Sequence, residues 1–373
     1  MPGRRVFYLH NPSGDIGHAV HLLRLLAAQP RGGRNLIFLR APSSYPHKLF
    51  ENHGEVRQLP AAPSAASGRA LAAALRRFRP ELLVTEFFPF GRRECRPELA
   101  PALAEARRLG AKIAASVPMP YFSAPEKELP ELLADCALYD RLLVHSPAGG
   151  DLPCMAAAVA LERRVSRAAF LSVFGALRRK LVFTGWLLPP AARAAKKEKF
   201  ILVTRGGGST SDRLVEAAIG AAPLVGRPFL IVAGTSTPPA KLARFRRLAA
   251  ACGGDAAVLF GYTDLPALMA KAAACVSTAG GSVYELLAQR SKMVLAPYCG
   301  ARGREHADQL ARAWLARDLA GAGLLLPADL TPGKVAAAVR RALARPAWRS
   351  ARVKPAWFCG AARSARELEA LCR

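Results

Sequence analysis

A glycine-rich loop near the start of the chain places a histidine where it could act as a base. Residues 13–18 read Ser-Gly-Asp-Ile-Gly-His, between an apolar strand-like run and an apolar helical pattern. Gly14 and Gly17 would let the backbone turn tightly and approach a ligand, and the free N–H groups of a helix start attract anions. His18 could take up a proton near neutral pH. It could equally cap the helix, and this loop alone does not separate the two roles.

A second loop has the composition of a phosphate cradle. Residues 205–211 read Arg-Gly-Gly-Gly-Ser-Thr-Ser and follow an apolar run that we expect to be a strand. Hydroxyls and free amides at a helix start bind anions, and three consecutive glycines are entropically costly unless a ligand approaches the backbone closely. We therefore interpret Gly207, Gly208, Ser209 and Thr210 as a diphosphate site. A plain glycine-rich turn is the alternative.

A third loop combines small residues with a carboxylate. Gly280, Gly281 and Ser282 would let a ligand come close to the backbone, and Glu285 follows one turn into the predicted helix. A carboxylate at that place can accept hydrogen bonds from a ribose diol. Considered alone, Glu285 could also be a solvated helix residue.

The three loops lie in a sequence whose apolar runs alternate with helical patterns. The alternation extends from residue 5 to residue 144 and restarts at residue 200, after a polar, Ala- and Lys-rich stretch at 191–199. Such a pattern predicts an α/β protein with two doubly wound parallel sheets joined by a linker. We expect the carboxyl ends of the strands in both Rossmann-like domains to face a central cleft, the usual ligand position in this architecture.

The predicted domain boundaries follow from the same pattern. We expect an N-terminal acceptor domain at 1–190, a C-terminal ligand-binding domain at 191–345, and a final segment at 346–373 that crosses back to the first domain and packs with Trp357 and Phe358. Residues 155–180 form a basic, Ala-rich amphipathic pattern that we predict to be one long helix. It could lie on an anionic membrane. An ordinary surface helix with a buried apolar stripe is the interpretation we favour.

The composition excludes several classes of protein. With 51% hydrophobic and 22% charged residues among 373, the chain can bury a large core and is not disordered overall. No apolar run approaches the roughly 20 residues of a membrane-spanning helix. The first residues lack the apolar core of a secretion signal, so we expect a cytoplasmic protein.

Charge and cysteine usage bear on partners and cofactors. The net charge of +27 favours anionic partners such as phosphorylated metabolites or an anionic membrane face. No aromatic-basic segment resembles a platform for stacking bases, so we expect no specific nucleic acid. The eight cysteines contain no Cys-x-x-Cys pair, which predicts neither a metal site nor a disulfide framework. We therefore expect no metal and no other cofactor.

Five segments of the second half occur in a recognisable order. They are Gly207-Gly208-Ser209, residues 260–265 (Phe-Gly-Tyr-Thr-Asp-Leu), residues 278–285, Ala296-Pro297-Tyr298 and residues 306–309 (His-Ala-Asp-Gln). With this order and spacing, residues 200–345 resemble the nucleotide-sugar-binding domain of GT-B glycosyltransferases of the MurG type (glycosyltransferase family 28). The resemblance implies the GT-B fold and a nucleotide-diphosphate sugar as donor, which we expect to be UDP-linked.

The resemblance also implies roles for particular positions. The diphosphate would be held by Gly208 and Ser209, the base by the backbone near Tyr262, the ribose by Glu285, and the hydroxyls of the donor sugar by Asp308 and Gln309. Two positions depart from the family pattern. Ala279 stands where glycine is usual, and Arg312 replaces the Asn of the family's Gln-x-x-Asn-Ala.

The first half is similar to a group of predicted bacterial glycosyltransferases. The similarity rests on residues 14–18, residues 85–93 (Thr-Glu-Phe-Phe-Pro-Phe-Gly-Arg-Arg), residues 139–145 (Tyr-Asp-Arg-Leu-Leu-Val-His) and residues 183–186 (Phe-Thr-Gly-Trp). After the strand that follows residues 85–93, the group commonly has Ser-x-Arg-Asp. This chain has Ser116-Val117-Pro118-Met119 there. The loss of that charged pair suggests altered acceptor chemistry or weakened activity.

Within residues 85–93, three charged side chains could bind an acceptor. Glu86 ends a predicted strand, and Arg92 and Arg93 follow on a turn. A carboxylate and two guanidiniums in this place could hold an acidic or phosphorylated acceptor. An internal ion pair that closes the loop is the alternative.

These features together predict an inverting glycosyltransferase that needs no metal ion. His18 would deprotonate the acceptor hydroxyl, and the helix starts at Ser209 and at Gly280 and Gly281 would stabilise the diphosphate leaving group. The transferred sugar is expected to be a hexose or an N-acetylhexosamine. One alternative is a nucleotide-sugar hydrolase or 2-epimerase on the same fold. The other is a non-catalytic protein that binds nucleotide sugars or nucleic acid.

Overall fold

The chain divides into two units, each with its own parallel sheet. A computed structural model describes residues 3–11, 16–41, 47–148, 150–162, 164–189, 196–206, 211–234, 236–261, 264–298, 306–346 and 352–373. Unit 1 comprises Met1–Leu152, Arg163–Leu187 and Pro355–Arg373. Unit 2 comprises Pro153–Glu162 and Leu188–Lys354.

Seven strands form the sheet of unit 1. In chain order they are β1 (Arg4–His10), β2 (Arg34–Arg40), β3 (Glu55–Gln58), β4 (Leu82–Glu86), β5 (Lys112–Val117), β6 (Arg141–Val144) and β7 (Leu181–Phe183). All pair in parallel, in the spatial order β3-β2-β1-β4-β5-β6-β7. The order reverses between β1 and β4. In sheets of this kind, ligands bind beyond the carboxyl ends of the strands at that reversal.

Helices connect the strands of unit 1 and supply its core. They are α1 (Ile16–Ala27), α2 (Lys48–Glu51), α3 (Ala65–Phe78), α4 (Arg96–Arg108), α5 (Leu129–Ala137), α6 (Asp151–Leu161), which continues into unit 2, and α7 (Arg167–Ala176). The strands β1, β4 and β5 are buried along almost their whole length, as expected for parallel strands covered by helices on both faces. Phe7 of β1 packs with Leu22 and Leu25 of α1 in this core.

Unit 2 repeats the arrangement with six strands. They are β8 (Ile201–Thr204), β9 (Phe229–Ala233), β10 (Ala256–Phe260), β11 (Ala274–Ser277), β12 (Met293–Leu295) and β13 (Gly323–Leu324). The connecting helices are α8 (Asp212–Val225), α9 (Pro239–Ala251), α10 (Leu265–Lys271), α11 (Ser282–Ala288), α12 (Ala307–Ala320) and α13 (Pro332–Ala344). The parallel order β10-β9-β8-β11-β12-β13 reverses between β8 and β11. The reversal lies beside the second and third glycine-rich loops.

The final helix, α14 (Gly360–Cys372), belongs to unit 1. The rings of Trp357 and Phe358 each lie 5.5 Å from the ring of Trp186, centroid to centroid. The backbone N–H of Gly360 donates to the carbonyl of Trp186 at 3.1 Å. Aromatic packing and backbone hydrogen bonds therefore attach the end of the chain to the segment that follows β7.

The two sheet orders confirm the predicted α/β architecture of two doubly wound sheets. The prediction of one long helix over residues 155–180 is wrong, because α6 ends at Leu161 and α7 begins at Arg167. The side chain of Ser166 accepts a hydrogen bond from Ala169 N at 3.2 Å, so it caps the second helix and starts it independently. Among the residues described, no helix has the length and apolar character needed to cross a membrane.

Candidate active site

His18 and Glu86 meet at the strand-order reversal of unit 1. His18 lies in the first turn of α1, and Glu86 is the last residue of β4. His18 Nδ1 is 2.8 Å from Glu86 Oε1, with the histidine side chain 23% exposed and the glutamate side chain fully buried. A carboxylate can only accept, so Nδ1 of the neutral ring carries the proton, and the lone pair is on Nε2, for which the described residues provide no hydrogen-bond partner. The geometry thus gives a partly exposed imidazole oriented by a carboxylate.

The backbone after Glu86 folds into a turn that holds an aromatic ring against His18. Phe87 has a positive φ of 64°. Its N–H donates to the Ser116 carbonyl at 2.8 Å, and its ring centroid lies 5.4 Å from that of His18. A Cβ at Gly91 would lie 2.2 Å from a Phe87 ring carbon, so a larger residue there would displace the ring. The turn therefore needs glycine at this position.

The segments that carry the resemblance in the first half contact one another. The Thr85 hydroxyl lies 2.9 Å from the Tyr139 hydroxyl and donates to the Phe88 carbonyl at 2.7 Å. His145 Nδ1 lies 3.0 Å from the Thr184 hydroxyl. Hydrogen bonds thus connect residues 85–93 to residues 139–145, and these to residues 183–186.

His145 is held as a buried, neutral imidazole. The hydroxyls of Thr184 and Ser364 donate to backbone carbonyls at 3.1 and 2.8 Å, which leaves them as acceptors for Nδ1–H. Nε2 then accepts from the Ser116 hydroxyl, 2.8 Å away. Burial lowers the pKa of His145 from 6.5 to about 3. The network needs the neutral ring, because a proton on Nε2 would remove the acceptor for Ser116.

This network predicts that unit 1 loses stability in acid. Below pH 6.5, His145 of the unfolded chain binds a proton while the folded form does not, so stability is lost as the pH falls from 6.5 towards 3. The expected slope from this residue is about 1.4 kcal/mol per pH unit. Urea unfolding of wild type and His145→Gln at pH 7, 6, 5 and 4 measures it. The variant should be less stable at pH 7 and less pH-dependent; equal slopes would contradict the assignment.

The two arginines of the motif have different surroundings. Arg93 forms ion pairs with Glu131 and, at 3.3 Å, with Glu128. Its charge is therefore engaged within unit 1, by carboxylates outside residues 85–93. Arg92 has a left-handed backbone, with φ 57°, and its buried Nε has no hydrogen-bond partner among the described residues. Of the two, Arg92 is better placed to meet an acceptor.

A second histidine near this region is unsuited to holding a metal ion. Ligand atoms of His10, Glu94 and Cys95 lie within 4.8 Å of one another. Arg40 Nη1 donates to His10 Nδ1 at 2.9 Å, so the proton of the neutral ring is on Nε2, facing Glu94. Burial and the Arg40 charge lower the pKa of His10 to about 4, and burial raises the pKa of the Cys95 thiol to about 12. In this arrangement both nitrogens of His10 are engaged and the thiol of Cys95 is protonated, whereas a metal ion binds an available imidazole nitrogen or a thiolate.

Thr204 and Gly206, which lead into the second loop, lie beside the third loop at the reversal of unit 2. Thr278 N donates to the Thr204 carbonyl at 3.1 Å, and a Cβ at Gly206 would lie 3.5 Å from the Thr278 hydroxyl oxygen. The Ser277 hydroxyl is 3.2 Å from that of Ser282. Gly281 precedes α11, on which Glu285 is buried. The candidate ribose-binding carboxylate is thus on a helix that follows a loop in contact with Thr204 and Gly206.

Some of the predicted site residues cannot be placed. Gly14, Gly207, Gly208, Ser209, Thr210 and Tyr262 lie outside the described residues. The helix start after the diphosphate loop is described. Arg205 is buried and pairs with Asp212 at 2.5 Å, and Lys241 pairs with the other carboxylate oxygen at 2.6 Å. The first turn of α8 is therefore fixed between two cations.

Asp308 and Gln309 offer one acceptor and one donor. Gln309 Oε1 accepts the Tyr298 N–H at 2.7 Å, which leaves its amide NH2 as a donor. Asp308 Oδ2 accepts from Nη1 and Nη2 of Arg312 at 3.0 and 2.6 Å. Its Oδ1 has no hydrogen-bond partner within the described part of the chain, and the side chain is 29% exposed. One hydroxyl could donate to Asp308 while its neighbour accepts from Gln309.

A basic groove lies at the opposite edge of the unit 1 sheet. A cavity of about 910 Å³ is lined by cations that include Arg4, Arg79, Arg108 and Lys112. Arg79 and Arg108 stand at the carboxyl ends of α3 and α4, where basic side chains stabilise the helix dipole. These groups account for part of the net positive charge without adding to the site at the carboxyl ends of the strands.

Comparison with known proteins identifies the fold. No family model matches the chain, and no curated protein matches its sequence. Among solved structures, the calicheamicin glycosyltransferase CalG4 is 18% identical with a TM-score of 0.59, over 100% of this chain and 98% of that one. MurG of Acinetobacter baumannii is 14% identical with a TM-score of 0.60, over 99% of each chain.

A third similar structure has a different reaction in its name. The UDP-GlcNAc 2-epimerase of Methanocaldococcus jannaschii is 11% identical with a TM-score of 0.60, over 100% of this chain and 99% of that one. Identities this low show the fold alone. The chain therefore has the two-domain, Rossmann-like GT-B fold that these glycosyltransferases and the epimerase share.

Proposed function

We propose that the protein is an inverting glycosyltransferase that moves a hexose or N-acetylhexosamine from a UDP-linked donor to an acceptor hydroxyl. The observation that carries the proposal is the pair of His18 and Glu86, 2.8 Å apart at the strand-order reversal of unit 1. A histidine with a free Nε2 lone pair, oriented by a buried carboxylate, is suited to general-base catalysis. The resemblance to the MurG type supports a donor of this class.

In the proposed reaction, the acceptor oxygen attacks the anomeric carbon of the sugar. Its proton passes to His18 Nε2, and the bond between the anomeric carbon and the diphosphate oxygen breaks. Attack on the face opposite the leaving group inverts the configuration. The Glu86 carboxylate keeps the ring oriented and stabilises the imidazolium as it forms. Arg92 is the cation we assign to an anionic acceptor, because Arg93 is engaged in ion pairs.

We assign donor binding to unit 2, with a smaller contribution from the loop at Gly17. The diphosphate would lie at the loop before α8, where free amides can meet its charge without a metal ion. Glu285 would bind the ribose. The assigned residues are Gly14, Gly17, Gly207, Gly208, Ser209, Thr210, Tyr262, Gly280, Gly281, Ser282, Glu285, Asp308 and Gln309.

A 2-epimerase or nucleotide-sugar hydrolase is the second candidate. It is favoured by the likeness to UDP-GlcNAc 2-epimerase, whose TM-score of 0.60 equals that of MurG. Both alternatives consume the donor in the absence of any acceptor. Incubating the protein with UDP-GlcNAc alone, and following the nucleotide and the sugar by chromatography, separates them from a transferase.

Nucleotide binding is the first test of the proposal. We expect UDP, but not GDP, dTDP or ADP, to raise the temperature of thermal unfolding, because a ligand at 100 times its dissociation constant adds about 2.7 kcal/mol. Glu285→Gln should weaken UDP binding about tenfold, since a hydrogen bond to a charged acceptor is lost. Glu216→Gln, on α8 and paired with Arg244 at 3.0 Å, is the matched control and should bind normally. No shift with any nucleotide would refute the proposal.

A further inference from the structure

Arg312 joins two elements of unit 2 at the candidate sugar site. It lies on α12, and its Nη1 donates to the carbonyl of Ala279 at 3.2 Å as well as to Asp308. Ala279 belongs to the loop between β11 and α11. One guanidinium therefore fixes the position of the loop relative to the first turn of α12.

The two positions that depart from the family pattern are in contact. Ala279 stands where glycine is usual and Arg312 where asparagine is usual, and the arginine donates to the alanine carbonyl. They are 33 residues apart in the chain. The arginine at position 312 therefore forms a contact inside the candidate sugar site and is not an isolated change on the surface.

The arrangement is poorly explained by stability alone. The Arg312 side chain is only 8% exposed, and its buried Nε has no hydrogen-bond partner among the residues described. A buried charge and an unsatisfied donor both oppose folding, and an ion pair seldom compensates fully. The favourable consequence is local: Asp308 Oδ2 is held by two N–H groups, while Oδ1 is left to accept a hydrogen bond.

We propose that Arg312 is a positioning residue for the donor sugar, holding Asp308 and the loop at Ala279 in the arrangement that binds the sugar hydroxyls. This inference rests on the proposed function. Because three of the four hydrogen bonds of Arg312 go to Asp308 and one to the Ala279 carbonyl, its loss should weaken binding of the sugar more than binding of the nucleotide. The measurable signature is a change in the ratio of two dissociation constants.

The test compares UDP with UDP-glucose and UDP-N-acetylglucosamine by calorimetry. Arg312→Lys keeps the charge but cannot donate from two nitrogens at once. We expect at least about a tenfold loss in affinity for the preferred UDP-sugar, from two charge-assisted hydrogen bonds, and a clearly smaller loss for UDP. Arg317→Lys, on the same helix and exposed beside Asp318, is the control and should change neither constant.

A double-mutant cycle tests whether Arg312 acts on sugar binding through Asp308. Once Asp308→Asn has removed the carboxylate, Arg312→Lys should cost little further affinity for the UDP-sugar. Should Arg312→Lys fail to fold by circular dichroism, Arg312→Asn, which restores the family residue, carries the same expectation for the ratio.

The results that would overturn the positioning role differ from those that would overturn the proposed function. Equal losses for UDP and the UDP-sugar, or no loss for either, would overturn the positioning role while leaving the proposed function intact. Wild-type protein that binds UDP and the UDP-sugar with equal affinity would also overturn the positioning role alone. Wild-type protein that binds no nucleotide would overturn both.

Discussion

Replacing His18 with alanine is expected to lower the rate of sugar transfer by about a thousandfold, in the range typical of a lost general base. The affinity for UDP should stay within about twofold of wild type, because Glu285 and the other residues assigned to the nucleotide, apart from Gly14 and Gly17, belong to unit 2. His18 belongs to unit 1 and is partly exposed, so its loss should leave the fold intact. UDP release from the preferred donor, with a panel of hydroxyl acceptors, gives the rate.

The Glu86→Gln variant separates two roles of Glu86: orienting the His18 ring and stabilising its protonated form. The amide oxygen of glutamine can still accept from His18 Nδ1–H, so the ring stays oriented, but the negative charge that stabilises the imidazolium is gone. We expect a smaller loss than for His18→Ala, with UDP affinity again unchanged. Transfer at the wild-type rate in His18→Ala would rule out this histidine as the base.

Replacing Gly360 with alanine is expected to destabilise unit 1 by about 3 kcal/mol, at the upper end of overpacking effects. A Cβ at this position would lie 2.3 Å from the Gly185 carbonyl oxygen and 2.5 Å from that of Trp186. Both are backbone atoms and cannot rotate away. Relief requires α14 to move, which breaks the hydrogen bond from Gly360 to Trp186.

Gly175→Ala in α7 is the matched control. Apart from its chain neighbours and its own helix backbone, no atom of the described residues lies within 4 Å of a Cβ there, and the residue is inside a helix of the same unit. Alanine should therefore stabilise by about 0.5–1 kcal/mol through its higher helix propensity. Urea unfolding measures the difference, followed by tryptophan fluorescence, to which Trp186 and Trp357 of unit 1 contribute together with the other two tryptophans of the chain. Equal stability of Gly360→Ala and wild type would mean that α14 is not packed against this segment.

The α/β architecture was predictable because the sequence patterns that indicate strands and helices are local. Apolar runs such as β1 and β4 are buried almost throughout, so their composition alone marks them as strands of a covered parallel sheet. The strands β3, β7 and β13 were not predicted, and each lies at an edge of its sheet. β7 has only three residues, all partly buried. β3, Glu-Val-Arg-Gln, lies at an edge and is only partly buried, and β13 has two residues. Their pairing partners, and not their own composition, make them strands.

The break between α6 and α7 was missed for a related reason. Residues 155–180 are rich in Ala, Leu and Arg, all of which favour a helix. Ser166 nevertheless caps a new helix, and its N–H donates to Glu126 at 2.7 Å, a carboxylate 40 residues earlier. A contact between residues 40 positions apart in the chain does not show in the periodicity of the sequence.

The sequence by itself determined which residues could do chemistry and at which strand ends they stand. Gly17, His18 and Glu86 follow or end strands whose order is that of a doubly wound sheet, so their common edge was predictable. Contacts between distant residues were not. Arg93 pairs with Glu131, 38 residues away, and Arg312 reaches Ala279, 33 residues away.

These contacts depend on how helices pack on the sheets, because a hydrogen bond or ion pair requires its two groups within about 3–4 Å. Residue types and spacing do not encode such distances across the fold. Tertiary packing therefore decided that Arg93 is engaged, that His18 has a carboxylate partner, and that Asp308 Oδ2 is held by Arg312.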